Sequence, residues 1–138
     1  MTSEEEARLD EFLTPSRVAV VATVSSDGTP QLTPNWYRFA NGILTMTTTK
    51  ERVKFRNLSR NDRLAVCIYS TPDAEEYVTL RGHANIRDEE SIWPETQTIV
   101  ERYMEPEHVA ALMRDLRTEE RVLISLTPDR IIFKAIEA

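Results

Sequence analysis

Between residues 17 and 49 the chain repeats one pattern: a short run of β-branched and apolar residues, a tight-turn signal, then another run. "RVAVVATV" (17–24) is nearly continuous apolar, and "SSDGTP" (25–30) carries an Asp27-Gly28 hairpin pair. "QLTPNWYRF" (31–39) resumes, "ANG" (40–42) turns again, and "ILTMTTT" (43–49) completes the series. Such short links join antiparallel neighbours, because a parallel pair needs a crossover of about a dozen residues or more. The pattern argues against a parallel βαβ fold and predicts an antiparallel sheet closed into a small barrel.

The remaining elements decorate that sheet. "TSEEEARLDEFL" opens as a helix with Ser3 as its cap, a sticky face of Leu9, Phe12 and Leu13, and a stop at Thr14-Pro15. A second helix, "KERVKFRNLSRN" (50–61), is expected to turn Val53 and Leu58 inward, with Phe55 or Asn57 beside them. "RLAVCIYS" (63–70) reads, like 17–24, as a strand buried on both faces. "YVTLRGHANIRD" (77–88) reads as a strand with a bulge or bend at Gly82. Helices near 89–104 and 106–117 carry Pro94 and Pro106 in their first turns. "RVLISLTP" (121–128) and "RIIFKAI" (130–136) close the chain as strands. The class is mainly β with peripheral α, and 138 residues predict one domain spanning 1–138.

Composition removes several functions. Seventeen basic residues against 23 acidic ones leave a net charge of -6, the wrong sign for a general nucleic-acid binder. Cys67 is the single cysteine and stands in an apolar run, which predicts a reduced core thiol and no intrachain disulfide. No stretch resembles a signal peptide or spans a membrane, so a soluble cytoplasmic protein is expected. His83 and His108 share no ligand spacing with Cys67, which argues against a metal. His83 is expected half-buried in its strand and His108 exposed. No serine sits in a nucleophile elbow, and the carboxylates fall in surface-like runs. If the protein is an enzyme, a bound cofactor supplies the hard chemistry.

Two segments carry polar chemistry. In "TTTKERVK" a strand ends in Thr47, Thr48 and Thr49, and Lys50, Arg52 and Lys54 enter the following helix. Cations are misplaced at the positive end of a helix unless an anion joins them. Hydroxyls, an Arg fork, a Lys point charge and free N–H groups together make a phosphate cradle. The plain alternative is a solvated basic face continued by Arg56 and Arg60. In "QLTPNW", Pro34 leaves the backbone unpaired between Thr33 and Asn35, where the edge of a flat heteroaromatic ring could bond. The plain alternative there is a bulged edge strand with Trp36 in the core.

Taken together, "VATVSSDGTPQLTPNWY", "TTTKERVKFRNLSRNDR", "YVTLRGHANIRD" and "LTPDRIIFKA" resemble, in order and spacing, the pyridoxamine-5′-phosphate-oxidase-like split barrels. They match that family's first hairpin, phosphate segment, glycine-containing strand and closing hairpin. The similarity runs from about residue 10 to 136 and is weakest over 89–117. It implies a homodimeric split β-barrel with FMN or the deazaflavin F-420 in a groove at the dimer interface. It places Thr33, Pro34 and Asn35 along the ring and Thr47, Thr48 and Thr49 on the ring or ribityl chain. Arg52 and Lys54 would hold the phosphate, Lys50 would assist, and Arg130 would reach across the dimer. The compact chain looks closest to the branch assigned to F-420. Asn35 departs from the small apolar residue of many relatives.

The implied activity is hydride transfer to a small unsaturated acceptor, with the proton drawn from solvent or Tyr37. Three rivals stand beside it. They are a flavin, F-420 or tetrapyrrole binding or storage protein, an FMN-dependent oxidase of the pyridoxamine-phosphate type, and a structural dimer with an empty groove.

Overall fold

The computed structural model describes residues 1–135. The expected end of the last strand, Ile136, lies outside the described residues. The elements run α1 (Ser3–Leu13), β1 (Ala19–Val24), β2 (Pro30–Asn35), β3 (Arg38–Ala40), β4 (Ile43–Thr49) and α2 (Val53–Arg60). They continue β5 (Arg63–Tyr69), β6 (Glu76–Arg87), α3 (Ile92–Tyr103), α4 (Pro106–Leu116), β7 (Arg121–Leu126) and β8 (Arg130–Ala135). All strand pairings are antiparallel.

Two tight turns form where the sequence places them. Gly28 closes the β1–β2 hairpin at φ +88°, and Asn41 and Gly42 close β3–β4 at φ 54° and 76°. Positive φ at two successive residues is what a type I′ turn requires. The expected meander fails between these hairpins, however. The sheet order is β2-β1-β5-β6-β7-β4-β3, so β2 and β3 stand at opposite edges.

The single strand expected over 31–39 is therefore broken at Trp36 and Tyr37, where the chain crosses from one edge to the other. Side chains hold this crossing. Tyr37 is fully buried and its hydroxyl donates to the Leu13 and Pro15 carbonyls. Its backbone N–H donates to the Tyr103 hydroxyl, and its carbonyl accepts from Arg102. Trp36 stacks on Tyr103 with centroids 4.8 Å apart and rings within 1° of parallel. These anchors come from α1 and α3, far away in sequence.

The curled sheet wraps Val21, Leu44, Met46, Val66, Val78, Leu80, Ile124 and Leu126, and α1 adds Leu9, Phe12 and Leu13. Each fully buried chain of this size contributes about 1.5–3 kcal/mol. β7 is buried on both faces, because α3 lays Ile92 and Ile99 over Leu123 on the outside. β1 and β5 differ from expectation. One face of each is buried, while Val20, Ala22, Ala65 and Cys67 on the other face are only half-covered.

Gly82 is not itself a bulge, since the β5–β6 register runs unbroken through it. β6 pairs with β8 up to Arg81↔Arg130 and with β7 from Ala84↔Leu126. Thr127, Pro128 and Asp129 thus stand opposite Gly82 and His83, and the extra residue lies on the partner side. β7 and β8 consequently run end to end along one edge of β6 and do not form the expected closing hairpin. A Cβ on Gly82 would sit 3.0 Å from Leu126 Cδ1 and 3.2 Å from the Thr127 carbonyl oxygen, so the glycine permits this close approach.

Smaller expectations also shift. Thr2, not Ser3, caps α1, accepting from the Glu5 N–H at 3.1 Å. His83 is exposed and pairs with Asp62 at 2.6 Å, because the residue before Ala84 lies on the uncovered face of β6. His108 is exposed, as expected. No helix is long and apolar enough to cross a membrane, and no metal-ligand cluster occurs among the described residues.

Candidate functional site

The two edges of the sheet meet without joining. β3 pairs only with Ile43, Leu44 and Thr45 of β4, which leaves the second half of that edge open. The end of β2 comes up to it, and the Asn35 Nδ2 donates to the Thr47 carbonyl at 3.1 Å. Beside this seam lies a groove of about 650 Å³. Its walls include Thr33, Pro34 and Asn35 from β2, Thr47 and Thr48 from β4, and Arg52 and Lys54 at the start of α2. Seven of the residues singled out from the sequence thus line one cavity.

The other three do not. The helix begins at Val53 rather than 50, and residues 50–52 form a turn in which the Arg52 N–H donates to the Thr49 carbonyl. Lys50 therefore points away and pairs with Asp88 at 2.9 Å, which raises its pKa. Thr49 is buried outside the groove, directly opposite Arg121 in the β4–β7 register. Arg130 faces Arg81 on the far part of the sheet and does not line this groove.

The inward face of α2 also differs from expectation. Lys54, Asn57 and Leu58 are buried, and Val53 is 42% exposed at the groove. The polar residues are tolerated because each has a partner. Asn57 donates to Thr23 Oγ1 at 3.0 Å and accepts from Arg60, and Lys54 Nζ donates to Asn35 Oδ1. The Asn35 amide thus bonds on both sides, to Thr47 and to Lys54.

Arg121, the first residue of β7, enters the groove unforeseen by local reading. Its side chain is 12% exposed, donating Nε to Thr47 Oγ1 at 3.1 Å and Nη1 to Glu119 at 2.8 Å. Only the β4–β7 register brings it here. Trp36, expected in the core, is half-buried and lines the groove. Tyr37, the candidate proton donor, is fully buried under α1 and α3, and burial pushes its pKa up to about 12.

The groove is electropositive and incompletely satisfied. Burial, then the neighbouring Arg52 and Arg121, lowers the pKa of Lys54 to about 8. Among the described residues Arg52 forms no ion pair. The Thr33 hydroxyl oxygen is buried and without a hydrogen-bond partner. A buried polar atom left unpaired costs about 1–3 kcal/mol. Three converging cations and an orphan hydroxyl fit an anionic ligand that also carries hydrogen-bonding groups.

The comparisons with known proteins agree with this architecture. The family model for pyridoxamine 5′-phosphate oxidase matches residues 5–135. The chain belongs to that family, and its open-seamed sheet is the split barrel. A conserved hypothetical protein of Mycobacterium tuberculosis superposes with a TM-score of 0.80 at 25% identity, covering 98% of this chain and 85% of the other. An F420 reductase superposes with a TM-score of 0.68 at 23% identity, covering 89% and 94%. A provisionally named pyridoxamine 5′-phosphate oxidase of Listeria innocua gives 0.72 at 20% identity, covering 94% and 97%. The last two likenesses concern the fold. No curated protein matches the sequence significantly.

Proposed function

We propose that this chain binds a phosphorylated flavin or deazaflavin, FMN or F-420, in the seam groove and acts as an oxidoreductase on a small unsaturated acceptor. The observation that carries the reading is the convergence of Arg52, Lys54 and Arg121 on a groove that also holds the unpartnered Thr33 hydroxyl. Family membership supports it, and so does the shared fold of an F420 reductase. When bound, the cofactor's ring would supply the hydride chemistry.

The chain's residues would do the holding. Arg52 offers a planar fork to the phosphate, Lys54 and Arg121 add charge from opposite walls, and the last turn before α2 contributes its N–H end. Thr33, Thr47 and Thr48 offer hydroxyls, and Pro34 and Trp36 offer apolar surface. No protein nucleophile is required. With Tyr37 sealed away, solvent is the proton source in this reading.

A homodimer belongs to the same proposal. Leu32 is 63% exposed, Val18 and Val53 are more than 40% exposed at the groove, and the outer face of β1 and β5 is half-covered. A second copy on this face would bury that surface and wall the groove. Arg130 could serve only the partner's groove in such a pair. Sedimentation should give twice the 15.9 kDa chain mass.

Paired titrations with FMN and F-420, followed by fluorescence, test the site. Tight F-420 and weak FMN binding assigns a deazaflavin enzyme, and the reverse assigns a flavoprotein. Binding of neither refutes the reading. Tight binding without turnover of any acceptor would favour a storage role.

A further inference from the structure

The Asn35 side chain is an uncharged group that bonds to both walls of the groove, β4 and the start of α2. Its Nδ2 donates to the Thr47 carbonyl across the seam at 3.1 Å, and its Oδ1 accepts from Lys54 Nζ. We propose that Asn35 is the positioning residue of the groove, using the open edge of β4 as a fixed point from which to hold the Lys54 ammonium toward a bound anion. This rests on the reading of the groove as an anion site.

The geometry leaves Lys54 no other anchor. Its side chain is buried, and among the described residues Asn35 is its single hydrogen-bond acceptor. The other charged groups around it do not anchor it. Arg52 stands at the start of α2, Arg121 comes from β7 already paired with Glu119, and Glu51 lines the same groove without an ion pair to Lys54. β4 presents only threonines there, and β1 has no charged residue.

Without an acceptor, a buried ammonium beside two guanidiniums would lose its proton more readily. An amide at position 35 supplies that acceptor without neutralising the cation, which a carboxylate would do. Its second bond, to a backbone carbonyl on the other edge of the sheet, fixes where the acceptor sits. A small apolar residue would leave both bonds unmade.

The test separates this role from plain stability. The sequence has three lysines, so selectively 13C-labelled lysine gives few Cε signals, and Lys54 is identified by its loss in Lys54→Arg. In the unliganded protein Lys54 should titrate near 8, lower in Asn35→Ala and higher in Asn35→Asp. An Asn35→Ala midpoint equal to or above that of the wild type overturns the proposal.

The second arm compares FMN with riboflavin, which lacks the phosphate. Asn35→Ala should cut the preference for FMN about fivefold or more and should have no further effect in a Lys54→Ala background. An unchanged preference, or two fully additive losses, also overturns it. If the wild type binds neither FMN nor F-420, the flavin reading fails, and the Lys54 titration still decides the role of Asn35. Urea unfolding of each variant confirms that the folded protein is being measured.

Discussion

Two arginine-bearing regions of this molecule look alike in composition and differ in purpose. In the last turn of α3, Arg102 donates to the carbonyls of Leu13, Thr14, Pro15 and Tyr37, and its guanidinium lies 5.0 Å from the Tyr37 ring centroid. Every face of that cation is used by the protein itself. In the seam groove, Arg52, Lys54 and Arg121 converge with few acceptors among them, and the Thr33 hydroxyl beside them has none. A saturated cation ties segments of chain together, whereas converging cations with donors to spare leave binding capacity for something else. That contrast distinguishes a structural knot from a ligand site.

Mutations should break the contrast cleanly. Arg102→Ala should lower stability most, by about 2–4 kcal/mol in urea unfolding, because four backbone carbonyls lose a charged donor at once. Its effect on the ratio of FMN to riboflavin affinity should be small. A groove-sized effect on that ratio would erase the distinction.

Lys54→Ala should do the reverse. Cofactor affinity should fall about tenfold or more, from loss of a charge-assisted bond of roughly 1.5–3 kcal/mol. Stability in the absence of ligand should hold or rise, since a cation held among other cations is removed. Arg121→Met should weaken binding less, about fivefold, because Glu119 already offsets part of its charge.

A pH series sharpens the same point. Lys54 is lowered from 10.5 to about 8 in the folded chain. Between those values the unfolded chain binds more protons at this residue, so its contribution to unliganded stability rises with pH. Phosphate binding favours the charged form, so FMN affinity should fall as pH passes about 8. Affinity flat from pH 7 to 10 would show that Lys54 does not hold the phosphate. Lys50→Ala should have the smallest effect, under about twofold on affinity, because that side chain belongs to an exposed pair with Asp88.

Much of the fold was legible because its signals are local. Asp27-Gly28 and Asn41-Gly42 specify turns through their own backbone freedom, and β-branched runs specify strands through their own side chains. Seven of the ten residues singled out from the sequence line one groove, four of them because threonines ending a strand before cations are a local pattern. The differences share a cause. Lys50, Thr49 and Arg130 carry suitable chemistry but lie outside this chain's groove, and Arg121 was missed because the β4–β7 pairing crosses more than 70 residues of chain. Val53 lies exposed at the groove and Lys54 is buried in its place, where the Asn35 amide from another strand accepts from its ammonium.

What the sequence by itself determined is the inventory: antiparallel hairpins, four amphipathic helices, an acidic chain with a local excess of cations after β4. What only the tertiary structure decided is assembly. Trp36 and Tyr37 carry the chain between sheet edges because α1 and α3 supply the partners that no neighbouring residue could. That crossing leaves a seam, and the seam is the groove. Short-range preferences act within a few residues along the chain, while the groove depends on which distant strands pair and in what register.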